Sequence, residues 1–540
     1  MVAKIIVDGT ERLGEISPLI FGTMLEHWGT PEKHVIYGGV WVGEESSIPN
    51  LHGLRKDVLE ATKKMSPTII RWPGGCPADV YHWLDGVGPR EKRPVSLLAS
   101  NYSRDVEETN QFGTHEFIHF CQQVGAQPYI TVNVGTGTPE EAADWVEYCN
   151  REGRSKYSAM RVENGRSEPF GVQYWGIGNE INEDTEMGTM NADNYARVAS
   201  EYSKLMKAVD PSIRTVAVGP VDANSHDDEW SSQVLKEAGS LIDYISIHKY
   251  YFHEDYYKLV ASPIDAEKSF RRLTNLINVV TPKKSTLSIW YRRPERIKIA
   301  VDEWNVWHKE ANPPASSLFA GYQKLTLQDG LFTAGMFHVM ANPSNGVGMA
   351  NICNLINSGP CGPIASNEET LYVNPQYLAF ILYRNQIGDT VVRSVTDSDT
   401  YDVGEIGTGS ESLISSMPAE MKELLESHLM ESTDSEKKKI DNVPYLDCLA
   451  TLDSQKRKLC LAVINRHKEQ DMECAIDIRG IRTGRNGKIY ELNAEEVTSA
   501  NDFDSPNNVR INEKKLSSAG TRFSYVFPCH SVTVMELTSH

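Results

Sequence analysis

Residues 172–180 read VQYWGIGNE, a short run of β-formers that closes on Asn179-Glu180. Short, mostly apolar strand-like runs recur at 17–25, 68–72, 127–133, 215–218, 244–247, 298–301 and 347–355. Longer stretches with helical spacing lie between the runs, and strand–helix alternation of this kind signals parallel βαβ units. Eight such units suggest a closed (β/α)8 TIM barrel of about 250 residues plus insertions, placed here over residues 17–390. One helix is readable in detail. Tyr195, Val198, Ala199, Tyr202, Leu205, Met206 and Val209 follow i, i+3, i+4, i+7 spacing, which predicts one apolar face, and Asn191 or Asp193 is the expected N-cap.

Beyond residue 390 the texture changes. Residues 391–441 are rich in Ser, Thr, Asp, Glu and Gly, with one helical patch at 420–431, and read as an acidic, polar surface excursion. Residues 442–540 carry short alternating segments (458–463, 473–478, 523–527 and 532–537) between polar turns, the pattern of an all-β sandwich. The first 16 residues hold an opening strand at 4–8 that is expected to pair with that sandwich. The fold class is therefore α/β: a TIM barrel with an additional C-terminal β-sandwich domain.

The chain has 540 residues, of which 40% are hydrophobic and 24% charged, enough to bury a sizeable core. Lys and Arg number 54 against 73 Asp and Glu, a net charge of −19, which argues against nucleic acid or an anionic membrane surface as partner. No apolar run approaches the roughly 18 residues of a membrane span, and the opening MVAKIIVDGTERLGEIS lacks the apolar segment of a signal peptide. Nine scattered cysteines without a CxxC pair point to reduced thiols in a cytoplasmic protein, not to a disulfide frame or structural zinc. Asn101-Tyr102-Ser103 spells a glycosylation sequon, which means nothing without secretion.

In a parallel barrel, side chains at the C-terminal strand ends converge on one mouth. The runs end in Glu26-His27, Arg71, Asn133, Asn179-Glu180, His248 with Tyr250, Asp302-Glu303 with Trp304, and Asn351 with Asn354; the fifth ends in Gly219-Pro220 and is uninformative. So many charged and amide groups are costly to bury unless they are paired or functional. Glu303 follows Glu180 by 123 positions, three βα units, so the two sit on strands four and seven and face one another across the mouth. Glycoside hydrolysis requires two facing carboxyls, one to protonate the departing oxygen and one to attack carbon or activate water. Their repulsion and partial desolvation predict that one pKa is raised. Arg71 is expected close to Glu303, Asn179 at a sugar 2-hydroxyl, and Tyr250 as a donor to the nucleophile. Lys249-Tyr250-Tyr251-Phe252, with Tyr256 and Tyr257, offers aromatic faces for sugar stacking or, equally, for the core. The glycine motifs at 72–75 and 133–138 match neither a dinucleotide nor a P-loop pattern and read as tight βα turns. No HExxH, CxxC or clustered His/Asp set appears, so no metal and no cofactor are expected.

The motifs FGTMLEHWG, GLRKDVLEATKKMSPTIIRWPGGC, DGVGPREKRP, NQFGTHEFIHFC, NVGTGTPEEAADWVEYCN, WGIGNE, ISIHKYY and DEWNVW follow in that order. With them the chain resembles the α-L-arabinofuranosidases of glycoside hydrolase family 51, enzymes with a clan A barrel that retain configuration. The resemblance runs from Ile20 to about Ile387, and more loosely through the terminal β-domain. It implies an acid/base at Glu180, a nucleophile at Glu303 and a substrate-binding glutamate at Glu26. It also implies sugar-contacting or nucleophile-positioning roles for Asn179, His248 and Tyr250, an arginine beneath the nucleophile at Arg71, and a sugar contact from Cys76. Three features depart from the family pattern. Asn354 stands where a glutamine is common, Thr30 replaces an arginine, and the acidic excursion is longer. The implied activity is removal of terminal α-L-arabinofuranosyl residues from arabino-oligosaccharides without a cofactor. A β-xylosidase or endo-glucanase/xylanase on the same fold, or a non-catalytic sugar-binding protein, are the alternatives. The expected assembly is a homo-oligomer, hexameric by the resemblance.

Overall fold

The computed structural model describes residues 2–30, 33–97, 107–221, 225–251, 255–281, 296–308, 324–357, 362–406, 438–453, 455 and 457–539. Eight parallel strands close into a barrel: Gly22–Met24, Ile69–Trp72, Gln127–Val132, Tyr174–Ile177, Arg214–Ala217, Tyr244–Tyr251, Lys298–Val306 and Val347–Ile352. They follow chain order around the ring, and the last pairs with the first. All eight fall on the anticipated runs.

Because side chains alternate along a strand, every second residue faces the barrel axis. Ile69, Tyr129, Tyr174, Val216, Tyr244, Ala300 and Met349, one from each of seven strands, form a buried apolar layer that fills the floor. Two residues further on, the same faces carry Arg71, Thr131, Ser246 and Asp302, so polar chemistry begins one layer above the plug. Tyr129 joins the two layers by donating from its hydroxyl to Asp302 Oδ2 at 2.8 Å. The sixth and seventh strands run further than the sequence suggested, to Tyr251 and Val306, so His248, Tyr250 and Glu303 lie within strands. Helix Ala192–Val209 is capped by Asn191, which accepts from the Asn194 N–H, and it buries Tyr195, Ala199, Tyr202 and Met206. Leu205 is exposed, since it sits about a quarter-turn from the centre of that stripe.

The C-terminal strands form a nine-stranded sheet that also takes in Ala3–Glu15 and Thr390–Asp397. Ala3–Glu15 lies between Thr390–Asp397, antiparallel, and Met472–Arg479, parallel. Lys458–Asn465 (KLCLAVIN) is nearly all apolar because both of its faces are covered. Ala462 and Ile464 pack toward the barrel side with Phe337 and Phe380, while Leu459, Leu461 and Val463 pack with Leu516 and Phe527 from opposite ends of the sheet order. The sheet therefore curls over its own inner face. Residues 391–397 were assigned to the acidic excursion, but they form a central strand of this sheet. Their Thr and Ser content reads as polar loop, while Val391 and Val392 supply the buried anchor. Gly404–Ile406 pairs with Lys438–Ile440 at the base of that excursion. The helical patch at 420–431 and the sequon lie outside the described residues. No described helix is long and apolar enough to cross a membrane.

Candidate active site

Glu180 leaves the fourth barrel strand in a left-handed backbone conformation, φ +44, which a glutamate rarely adopts. Asp79 holds this turn from below. Its Oδ2 accepts from the Asn179 N–H at 2.8 Å and its Oδ1 from the Val134 N–H at 2.9 Å, while burial pushes its carboxyl up to about 7.

On the seventh strand two consecutive acids both reach inward, which a regular strand forbids. Register shifts against the neighbouring strands, between Ser246 and His248 and between Val301 and Trp304, supply the irregularity that re-aims one of them. Arg71, fully buried, binds the result together. Its Nη1 lies 2.6 Å from Glu303 Oε1, Nη2 donates to Asn179 Oδ1 at 2.9 Å, and Nε donates to Thr131 Oγ1 at 3.1 Å with Asp302 Oδ2 at 3.8 Å. The Tyr250 hydroxyl donates to Glu303 Oε2 at 2.7 Å. Both oxygens of Glu303 are thus held, one by a cation and one by a neutral donor.

His248 sits between the acids. Its Nδ1 is 2.6 Å from Glu180 Oε1 and 3.6 Å from Glu303 Oε2, and its Nε2 is 3.4 Å from Asp302 Oδ1. Burial works against its cation, but Glu303, Glu180 and Asp302 outweigh it and hold the ring well above the usual imidazole range. Asp302 is held below the usual carboxylate range, since Arg71 and His248 overcome the cost of its burial.

A carboxylate oxygen of Glu180, one of Glu303 and a ring nitrogen of His248 all lie within 4.8 Å of one another. Retaining glycosidases hold their carboxyls about 5–5.5 Å apart and inverting ones about 6.5–9.5 Å, to admit a water. The spacing belongs to the short class.

Glu26 completes the wall. Its Oε1 accepts from the Gly75 N–H at 3.1 Å and its Oε2 from Asn354 Nδ2 at 2.9 Å. Burial, then the charge of Glu303, pushes it up to about 8. A Cβ on Gly75 would stand 2.8 Å from Glu303 Oε1 and 3.0 Å from Glu26 Oε1, so only glycine leaves this floor open. Cys76 is buried, with its sulfur and carboxylate oxygens of Glu180 and Glu186 within 4.8 Å of one another.

Glu26, Arg71, Cys76, Asn179, Glu180, His248, Tyr250, Glu303 and Asn354 therefore meet at one mouth. Other strand-end residues do not join them. Asn133 caps its own loop by accepting from the Thr136 and Gly137 N–H groups, and Asn351 donates to the Thr23 carbonyl inside the barrel wall. Tyr256 and Tyr257 pack against each other, and Tyr257 against Tyr401 and Tyr445, away from the mouth. Phe252 and the side chain of Thr30 lie outside what the structure describes.

Two family models match the chain, an α-L-arabinofuranosidase 1 domain over residues 61–268 and an α-L-arabinofuranosidase C-terminal domain over residues 302–531. A probable α-L-arabinofuranosidase C of Aspergillus niger is 30% identical over 99% of this chain and 97% of its own. An intracellular exo-α-L-arabinofuranosidase of Bacteroides ovatus is 33% identical over 71% of this chain and 72% of its own. Among solved structures, the α-L-arabinofuranosidase of Thermotoga maritima in complex with arabinose matches with a TM-score of 0.83 at 35% identity, over 99% of both chains. The chain belongs to the α-L-arabinofuranosidases of glycoside hydrolase family 51.

This arabinofuranosidase family member carries site residues that the sequence did not reveal. Glu186 lies in an acidic stretch (Glu183-Asp184-Thr185-Glu186) that reads as a solvated loop, yet it is buried, and burial, then the charge of Glu180, pushes it up to about 9. The cause is a close backbone approach: a Cβ on Gly188 would meet Gly135 Cα at 2.4 Å, so two glycines let this loop fold onto the third βα loop. Those glycines are the one sequence signal for it. The acids that burial lifts at this mouth are thus Glu26, Glu186 and, beneath them, Asp79.

Proposed function

We propose that this chain is an exo-acting, retaining α-L-arabinofuranosidase that removes terminal residues from arabino-oligosaccharides by double displacement. The observation that carries the reading is the short spacing of Glu180 and Glu303, with Arg71 and Tyr250 both aimed at Glu303. Glu303 attacks the anomeric carbon as the bond to the leaving oxygen breaks, and Glu180 gives that oxygen its proton. Water then attacks the glycosyl-enzyme, Glu180 takes the water's proton, and Glu303 departs. Glu26, Asn179, Cys76 and Asn354 line the sugar, and His248 fixes Glu180. An exo mode suits the shape, because Glu26 and Glu303 are buried while Glu180, on the leaving-group side, is partly open. The Bacteroides ovatus relative is named an exo-α-L-arabinofuranosidase.

The eight described cysteines are unbridged, which suits a reducing compartment, and we place the enzyme in the cytoplasm. The expected assembly is a homo-oligomer, hexameric by family likeness, and light scattering of the purified chain reads it directly. Kinetics on a panel of aryl glycosides test the substrate: α-L-arabinofuranosides should lead, and a hundredfold preference for xylo- or glucopyranosides would sink the furanose assignment.

A further inference from the structure

Glu186 poses a problem that the proposed reaction does not solve. It is 4% exposed, and among the described residues no N–H or O–H donates to its carboxylate oxygens, leaving the Cys76 thiol as the donor beside it. Besides its own burial, the groups acting on it most strongly are Glu180, the Cys76 thiol, Asp79 and Glu303. A carboxylate in such a place keeps its charge only if a cation joins it. One oxygen of Glu186, one of Glu180 and the sulfur of Cys76 lie within 4.8 Å of one another.

We propose that Cys76, Glu180 and Glu186 form a binding site for a thiophilic divalent cation, Zn²⁺ foremost, and that filling it switches the enzyme off. The switching half rests on Glu180 as the acid/base: its carboxyl cannot carry a proton to the leaving group while it ligates a metal. The binding half stands on the geometry alone.

The ligand chemistry selects the ion. One thiolate and two carboxylates suit Zn²⁺, with Zn–S about 2.3 Å and Zn–O about 2.0–2.2 Å, and the trio has to contract to reach those lengths. Three protein ligands leave a fourth position for a water. The sulfur disfavours Mg²⁺ and Ca²⁺, which take oxygen ligands. The sulfur binds as a thiolate, so the Cys76 proton leaves as the cation enters. A second trio, Glu180 with His248 and Glu303, is equally compact but poorly suited. Three carboxylates keep the His248 ring protonated, and Arg71 and Tyr250 already occupy both oxygens of Glu303.

The test titrates the full-length, chelator-stripped enzyme with Co²⁺ as a spectroscopic probe, then with Zn²⁺ in an activity assay. A sulfur-to-cobalt charge-transfer band should appear at one equivalent, be displaced by Zn²⁺ and ignore Mg²⁺. It should vanish in Cys76→Ser and need about tenfold more metal in Glu186→Gln. Zn²⁺ should inhibit reversibly, and each substitution should raise the half-inhibiting concentration by at least about tenfold. Having two variants guards against one failing to fold. A missing band, a band that survives Cys76→Ser, or inhibition untouched by both substitutions overturns the site. A band in a chain that does not cleave arabinofuranosides leaves the site standing and overturns the proposed function instead.

Discussion

Replacing Tyr250 with Phe removes one oxygen atom and leaves the ring where it stands. The hydroxyl donates to Glu303 Oε2 at 2.7 Å while Arg71 holds Oε1 at 2.6 Å, so the change takes one of two donors and spares the cation. The ring keeps its edge-on contact with Trp307, centroids 6.0 Å apart. A hydrogen bond to a charged acceptor contributes about 1.5–3 kcal/mol. If that bond aligns the carboxylate on the anomeric carbon, kcat/KM falls by about tenfold to about 150-fold. Initial rates on an aryl α-L-arabinofuranoside measure the loss, and a thermal melt beside wild type checks that the fold is intact. A fall smaller than about threefold with an unchanged melt refutes the alignment argument. A fall beyond about a thousandfold also refutes it, since about 4 kcal/mol exceeds what one such bond carries.

Glu180→Ala should cost about 10²- to 10⁴-fold on alkyl or natural leaving groups and far less on activated aryl ones, with azide restoring part of the rate; equal losses on both substrates contradict the acid/base role. Glu26 titrates at about 4.5 when unfolded and about 8 when folded, so its stabilising contribution is full below about pH 4.5 and is lost as pH rises toward 8. Glu26→Gln stays neutral throughout, and its melting temperature should gain on wild type between about pH 5 and about pH 8; a gain confined to acid pH would mean the carboxyl is not raised. Arg71→Met leaves Asp302 and Glu303 buried beside each other without the guanidinium, a loss of about 3–5 kcal/mol in denaturant unfolding at neutral pH. That loss should shrink in acid as Asp302 takes up a proton, and a pH-independent loss would point to packing instead.

The barrel was legible because its strands are buried on both faces, so the eight runs are mostly apolar and most of them give way to polar residues at the end. The facing acids were legible because regular βα spacing converts a separation of 123 residues into strand positions. Three features were hidden for physical reasons. The joint inward turn of Asp302 and Glu303 depends on register shifts set by neighbouring strands, which no local pattern encodes. The strand Thr390–Asp397 is read as loop because a strand half-buried at one end keeps polar residues at the other. Glu186 is drawn in by a glycine contact made between two loops about 50 residues apart, so its own acidic neighbourhood points the wrong way. Propensity and period describe an element alone; these three positions are decided by what packs against it.

The assignment of Glu303 as the group that bonds to the sugar can be tested by trapping the glycosyl-enzyme with a fluorinated α-L-arabinofuranosyl inhibitor and mapping the peptides by mass spectrometry. One pentosyl adduct on the peptide that carries Glu303, absent from Glu303→Gln, is the predicted outcome. An adduct on Glu26 or Glu186, or steady release of inverted sugar from unlabelled enzyme, would contradict it.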